Sequence, residues 1–108
     1  GITIINSNAT GMTLSDASMR NATITSTNLA GANLQNTDLT GAQLRGVVFN
    51  GANLRHTDFS RATFSSSDSG IQGVAELFGA RYDSDTIFPV GFEWLTGAIL
   101  VQEAEQAD

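Results

Sequence analysis

The fold class predicted by this sequence is an all-β solenoid, a stack of short coils, and three observations lead to it. A large apolar residue returns at every fifth position, from Leu14 through Met19, Ile24, Leu29, Leu34, Leu39, Leu44, Phe49, Leu54 and Phe59 to Phe64. Two positions before each stands a mostly small residue (Ala17, Ala22, Thr27, Ala32, Thr37, Ala42, Ala52, Thr57, Ala62), with Met12 and Val47 as bulky exceptions. The corner position two residues after each is rich in types that tolerate tight turns and positive φ, such as Gly31, Gly41, Gly51, Asn21, Asn36 and Ser26. A period of five matches neither the helix nor the strand, and self-similarity at a fixed period marks a stacked-repeat architecture.

Within one unit, inward residues two apart specify a very short extended side, because successive side chains on extended backbone point to opposite faces. The turn-forming position then supplies a corner. No single unit can bury its Leu or Phe; burial comes only when the next coil covers the last.

Residues 29–44 read Leu-Ala-Gly-Ala-Asn-Leu-Gln-Asn-Thr-Asp-Leu-Thr-Gly-Ala-Gln-Leu. This closely resembles the pentapeptide-repeat family, whose consensus is Ala-(Asp/Asn)-Leu-X-X, and the resemblance spans residues 2–64. It implies a right-handed quadrilateral β-helix with about twenty residues per coil and about three coils; periodicity alone leaves three or four sides open. With four sides, Leu14, Leu34 and Leu54 form one interior column, and Met19, Leu39 and Phe59 a second. Ile24, Leu44 and Phe64 form the third, and Ala9, Leu29 and Phe49 the fourth. These side chains fill a dry core without a ligand cavity. Inward Thr37 and Thr57 stack with their hydroxyls on corner backbone, and Asn33 points outward.

The repeat β-helix is assigned to residues 1–66, and a C-terminal helix, capping segment and tail of the same domain to 67–108. Ser69 is a suitable N-cap, and Ile71, Val74, Ala75 and Phe78 follow helical spacing up to Gly79, which predicts a helix over 70–79 with Ile71, Val74 and Phe78 facing the rod. A repeat-like unit returns out of register at Ala80-Arg81-Tyr82. The stretch from Tyr82 to Phe92 resembles the closing segment of many cyanobacterial and plastid-lineage pentapeptide-repeat proteins, Tyr-Asp-x-x-Thr-x-Phe-Pro-x-Gly-Phe, although Glu93-Trp94 follows where those proteins usually continue with Asp-Pro. Physically it is a cap, since an open coil end exposes unpaired backbone and core side chains. The apolar run from Phe88 to Val101 exceeds what one coil end needs. Phe88, Phe92, Trp94 and Leu95 are therefore the candidate interaction residues.

Composition narrows the chemistry. Net charge is −6 with only 15% charged residues, and the five positive residues are all Arg (Arg20, Arg45, Arg55, Arg61, Arg81) and form no stripe. A nucleic-acid surface wants clustered positive charge, so no nucleic-acid partner is expected. There is no cysteine, hence no disulfide and no thiolate metal site. No run of eighteen apolar residues occurs, so no transmembrane helix is expected. The chain opens at Gly1 in an apolar-rich run, consistent with either a removed leader or a piece of a longer protein. His56, the single histidine, falls at an exposed corner with no legible partner, and no metal site is expected there. Asp38 and Asp58 stack one coil apart as solvated carboxylates. There is no Gly-x-Ser-x-Gly elbow, and a chain without lysine holds no phosphate loop of the Gly-Lys type. No catalytic residue and no cofactor is expected, and the chain reads as no enzyme.

The resulting reading is a protein-interaction or scaffold module. The tail's resemblance implies a photosynthetic membrane complex as partner and the thylakoid lumen, or another plastid or cyanobacterial compartment, as location. The alternative is the acidic mimicry of DNA seen in gyrase-binding members of the family. Against it, a regular rod of roughly 15 Å spans only about four or five base pairs, and Asp38–Asp58 is the only stacked acidic pair.

Overall fold

The computed structural model describes residues 2–65, 77–89 and 98–101. These contain six short strands and no helix: β1 (Thr3–Ile5), β2 (Thr23–Thr25), β3 (Gln43–Arg45), β4 (Thr63–Ser65), β5 (Arg81–Tyr82) and β6 (Ile99–Leu100). The first four make one parallel sheet in chain order. Its register advances by twenty residues, Ile4 beside Ile24, Leu44 and Phe64. The other sides are narrower, each joined through single bridges: Asn8–Asn28–Val48, Thr13–Asn33–Asn53 and Ser18–Asp38–Asp58. Each twenty-residue turn thus contributes four extended segments, and the columns expected from the sequence follow from that register.

Burial follows the columns. Ile24, Leu34, Leu39, Phe49 and Phe59 are fully inaccessible, as are the small residues Ala22, Ala32, Ala42 and Ala52 that let backbone approach between them. Ile4 and Leu14, on the first of these coils, are only partly buried. Met12, in an inward position of the repeat on the same coil, is exposed.

The corners explain the spacing. Every fifth residue from Asn6 to Arg61 has positive φ, whether Gly, Asn, Asp, Ser, His or Arg. On three of the four sides the turn is closed by an i to i+3 hydrogen bond, as from Ala32 N–H to the Leu29 carbonyl (3.0 Å). Positive φ at the third turn residue favours Gly or Asn. At Gly41 (φ +72°) glycine is favoured twice over, since an added Cβ would also meet Asn21 Oδ1, the end of a side chain that would have to move.

Threonine hydroxyls tie the coils together. Thr37 Oγ1 donates to the Leu14 carbonyl (2.8 Å), Thr57 Oγ1 to that of Leu34 (2.6 Å) and Thr86 Oγ1 to that of Leu54 (2.8 Å). Each hydroxyl reaches one coil down to the carbonyl that closes a turn. The expected threonine stack is present and extends into the returning segment.

After β4 the chain rejoins the stack at Leu77. Ala80 N–H donates to the Leu77 carbonyl, and Gly51 N–H to that of Phe78, repeating the pattern of the coil below. Leu77 therefore covers Phe49 and is 2% exposed, while Phe78 takes a corner position and is 74% exposed. This corrects the helical reading of Phe78 as rod-facing: residues 77–79 form a turn, and the five-residue repeat, not the 3.6-residue period, aims their side chains. The remainder of the expected helix, 70–76, lies outside the described residues. Arg81 pairs with Asn53 and Ile87 with Asp58, at separations of 28 and 29 rather than twenty. Tyr82 consequently sits above Leu54, and Phe88 stacks on Phe59 (centroids 5.6 Å apart, planes 8° apart) with Tyr82 edge-on to it. β6 lies parallel on β5, Ile99 beside Arg81 and Leu100 beside Tyr82.

Candidate functional site

The returning segment creates a polar recess. Between Tyr82 and Phe88 the chain takes six steps where a regular unit takes five, and the excess is absorbed in a turn, Asp83-Ser84-Asp85-Thr86, closed by Thr86 N–H to the Asp83 carbonyl (3.1 Å). Asp83 Oδ1 accepts the backbone N–H of Asp85 (3.1 Å) and that of His56 (3.1 Å), and lies 3.1 Å from the Thr86 hydroxyl, whose proton it shares with the Leu54 carbonyl. The His56 corner, at φ +60°, turns its ring toward this segment. Asp83 Oδ2 then lies 3.0 Å from His56 Nδ1, and Asp85 Oδ2 3.1 Å from His56 Nε2. Asp83 is largely buried, His56 about half-exposed and Asp85 mostly exposed. Burial alone would raise the Asp83 pKa, but the His56 N–H, the Thr86 hydroxyl, the His56 ring and the Asp85 N–H outweigh it and hold the carboxyl below its usual value.

A cavity of about 290 Å³ opens over this cluster, lined by Gln35, Arg55, His56, Asp83, Ser84, Asp85 and Val101. The Arg55 guanidinium reaches along the flank, with Nε 3.2 Å from Asn53 Oδ1 and Nη2 3.3 Å from Gln35 Oε1. One ligand-type atom from each of His56, Asp83 and Asp85 lies within 4.8 Å of the others, so these three could hold a cation. In the linear sequence His56 has no legible partner. The signal that would have found them is Leu77-Phe78-Gly79-Ala80-Arg81-Tyr82, which parallels Leu39-Thr40-Gly41-Ala42-Gln43-Leu44. Anchoring the upper coil on Leu77 sets Tyr82 over Leu54 and brings the residues after Tyr82 beside His56.

Of the candidate interaction residues, Phe88 is described: it is half-buried, packed between Phe59 and Tyr82 at the end of a core column. Phe92, Trp94 and Leu95 lie outside the described residues. Asp38 and Asp58 are bridged neighbours, but each turns one oxygen inward to its own corner. Asp38 Oδ1 accepts from Thr40 N–H (3.0 Å) and Oγ1 (2.6 Å), and Asp58 Oδ1 from Ser60 N–H (2.9 Å) and Oγ1 (2.5 Å). The Thr40 hydroxyl, above all, holds Asp38 below its usual pKa against the opposing effect of burial, with help from the Thr40 N–H and Arg20, whose guanidinium is 3.5 Å away.

The family model for pentapeptide repeats matches residues 3–36 and 27–65, in 8 copies. No curated protein sequence matches. Solved structures that resemble the chain include a pentapeptide repeat protein from Nostoc Pcc 7120, 28% identical, covering 87% of this chain and 76% of its own, with a TM-score of 0.46. Another is a pentapeptide repeat protein from the Arabidopsis thaliana thylakoid lumen, 19% identical, covering 94% and 73%, with a TM-score of 0.45. A third, Rfr23 from the cyanobacterium Cyanothece 51142, is 25% identical, covers 80% and 60%, and has a TM-score of 0.31.

Proposed function

The chain belongs to the pentapeptide-repeat family, and on that premise we propose that it is a non-enzymatic interaction module: a right-handed quadrilateral β-helix of about three regular coils that docks a partner protein on its C-terminal end. One observation carries this reading. Among the described residues, the exposed large hydrophobics sit only at the two ends of the rod, Ile2, Ile5 and Met12 on the first coil and Phe78, Ile87, Ile99 and Leu100 on the last. The flanks between them carry Thr, Ser, Asn and Gln, several of which spend their polar atoms on their own turns. Desolvated apolar and aromatic anchors supply most interface energy, and such polar flanks supply little. In sequence this end continues into the apolar run 88–101, with Phe88, Phe92, Trp94 and Leu95, which supports the C-terminal end as the docking end.

The closing segment from Tyr82 to Phe92 supports a partner in a photosynthetic membrane complex, reached in the thylakoid lumen or a comparable compartment. No helix of the described residues is long and apolar enough to cross a membrane. The gyrase-mimic alternative draws no support from the geometry, since both members of the Asp38–Asp58 pair are engaged in their own corners.

The test is capture from a thylakoid extract, identified by mass spectrometry, with wild type, Phe78→Ser, Trp94→Ala and the flank variant Gln43→Ser. End-on docking gives a loss of more than about tenfold, roughly 1.4 kcal/mol, for the two end variants at nearly constant melting temperature, and no loss for the flank variant. Equal capture by all four overturns the reading.

A further inference from the structure

We propose that His56, Asp83 and Asp85 form a binding site for one divalent cation of the zinc class, which fastens the returning segment to the coil beneath it. The donor set is one imidazole nitrogen and two carboxylate oxygens, in a chain without thiols. Imidazole selects zinc and its transition-metal neighbours, whereas calcium takes six to eight oxygens and magnesium an oxygen octahedron. Two carboxylates and a neutral imidazole carry the two negative charges that such an ion balances.

The geometry is close to what the ion requires. Ligands at about 2.1 Å from zinc can be at most about 4.2 Å apart, and the three donor atoms lie within 4.8 Å of one another. The adjustment falls on Asp85, whose side chain is 70% exposed: its Oδ2, now beside Nε2, must turn toward Nδ1, the ring nitrogen that Asp83 faces, because one imidazole gives a single nitrogen to one ion. Asp83 is held in place: its Oδ1 accepts two backbone N–H groups, which leaves Oδ2 beside the ring as the available ligand atom. The cavity above provides room for the water that completes the coordination. Arg55, the cation nearest in sequence, extends toward Asn53 and Gln35.

The two halves of the site come from different layers, His56 from a regular coil and both carboxylates from the segment after β5. An ion bound to the folded arrangement alone stabilises the junction by mass action. The site stands independently of the docking surface proposed above.

The experiment uses the full chain, stripped with EDTA. Zinc binding is followed by isothermal titration and by competition with a chromophoric indicator, and melting temperature is read with zinc, magnesium or calcium. Two variants are compared: Asp85→Asn, an exposed change, and His56→Asn, which removes the imidazole but tolerates the left-handed corner. The expected result is one zinc per chain with a Kd below about 1 mM, a higher melting temperature with zinc only, and at least a tenfold loss of affinity in each variant. Both metal-free variants should melt cooperatively, which separates loss of the site from loss of the fold. Absence of binding by the wild type, equal binding by both variants, or a larger melting shift with magnesium or calcium than with zinc overturns the proposal.

Discussion

Replacing Leu34 by alanine removes three carbons from the middle of an interior column, between Leu14 below and Leu54 above. Leu34 is 0% exposed, so the transfer loss is about 2.4 kcal/mol at about 0.8 kcal/mol per carbon. A cavity penalty adds to it, because the surroundings cannot close in. The Leu34 N–H donates to the Asn53 carbonyl (2.8 Å), while its own carbonyl accepts Thr37 N–H (3.0 Å) and Thr57 Oγ1 (2.6 Å). Backbone held on both sides keeps the void open, which puts the total in the upper part of the usual range, about 3–5 kcal/mol. Equilibrium unfolding in urea measures it as a lower midpoint at unchanged m-value. The control is Gln43→Ala, an outward strand residue that should cost under about 0.5 kcal/mol. Asn33 is a poorer control than its outward position suggests, since its Oδ1 accepts the Gln35 N–H (3.0 Å) and its loss should cost about 1 kcal/mol. A Leu34→Ala loss no larger than that of Gln43→Ala would refute the assignment of inside and outside.

Thr57→Val keeps the shape of a fully buried side chain but deletes its bond to the Leu34 carbonyl, and should cost about 1 kcal/mol in the same melts. Gly31→Ala should cost about 1 kcal/mol for a left-handed Ala with open space around it. Gly41→Ala should cost more, because its Cβ meets Asn21 Oδ1, and adding Asn21→Gly should bring the two costs together. Asp38 has a depressed folded pKa, so its contribution to stability is fully present above the ordinary value of 3.8 and is lost as pH falls below that through the lower folded value. Asp38→Asn should therefore destabilise at neutral pH and lose its effect in strong acid, as read from melting temperature against pH; an effect independent of pH would contradict the assigned cause.

The regular coils were legible because every contact that defines them repeats at one interval. Once Leu14 to Phe64 mark the period, four sides place Leu34 over Leu14 and Phe59 over Leu39 without further information, and the threonine stack follows. The upper layer was not legible for a complementary reason. The insertion before Leu77 changes the register from twenty to 28, and the extra residue before Phe88 changes it again to 29. A helical pattern in Ile71, Val74 and Phe78 overlapped a genuine repeat in Leu77 and Tyr82, and periodicity alone could not rank them. His56 met Asp83 and Asp85 only through that altered register, so its isolation in the sequence concealed a cluster in space.

The uneven filling of the core gives the molecule a direction of assembly. Phe49, Phe59 and Phe64 pack against one another at centroid distances of 5.4–6.3 Å in the last regular coil, whereas the first coil offers Ile4, Ala9 and Leu14, two of them only partly buried. In a solenoid each coil leans only on its neighbours, so ordering spreads from wherever the neighbour terms are strongest. Synthesis delivers the opposite sequence of events: the sparsely packed coil leaves the ribosome first and the aromatic one later. The Phe49–Phe59–Phe64 layer is therefore the firmer template for its neighbours, and the coil earlier in the chain the weaker one.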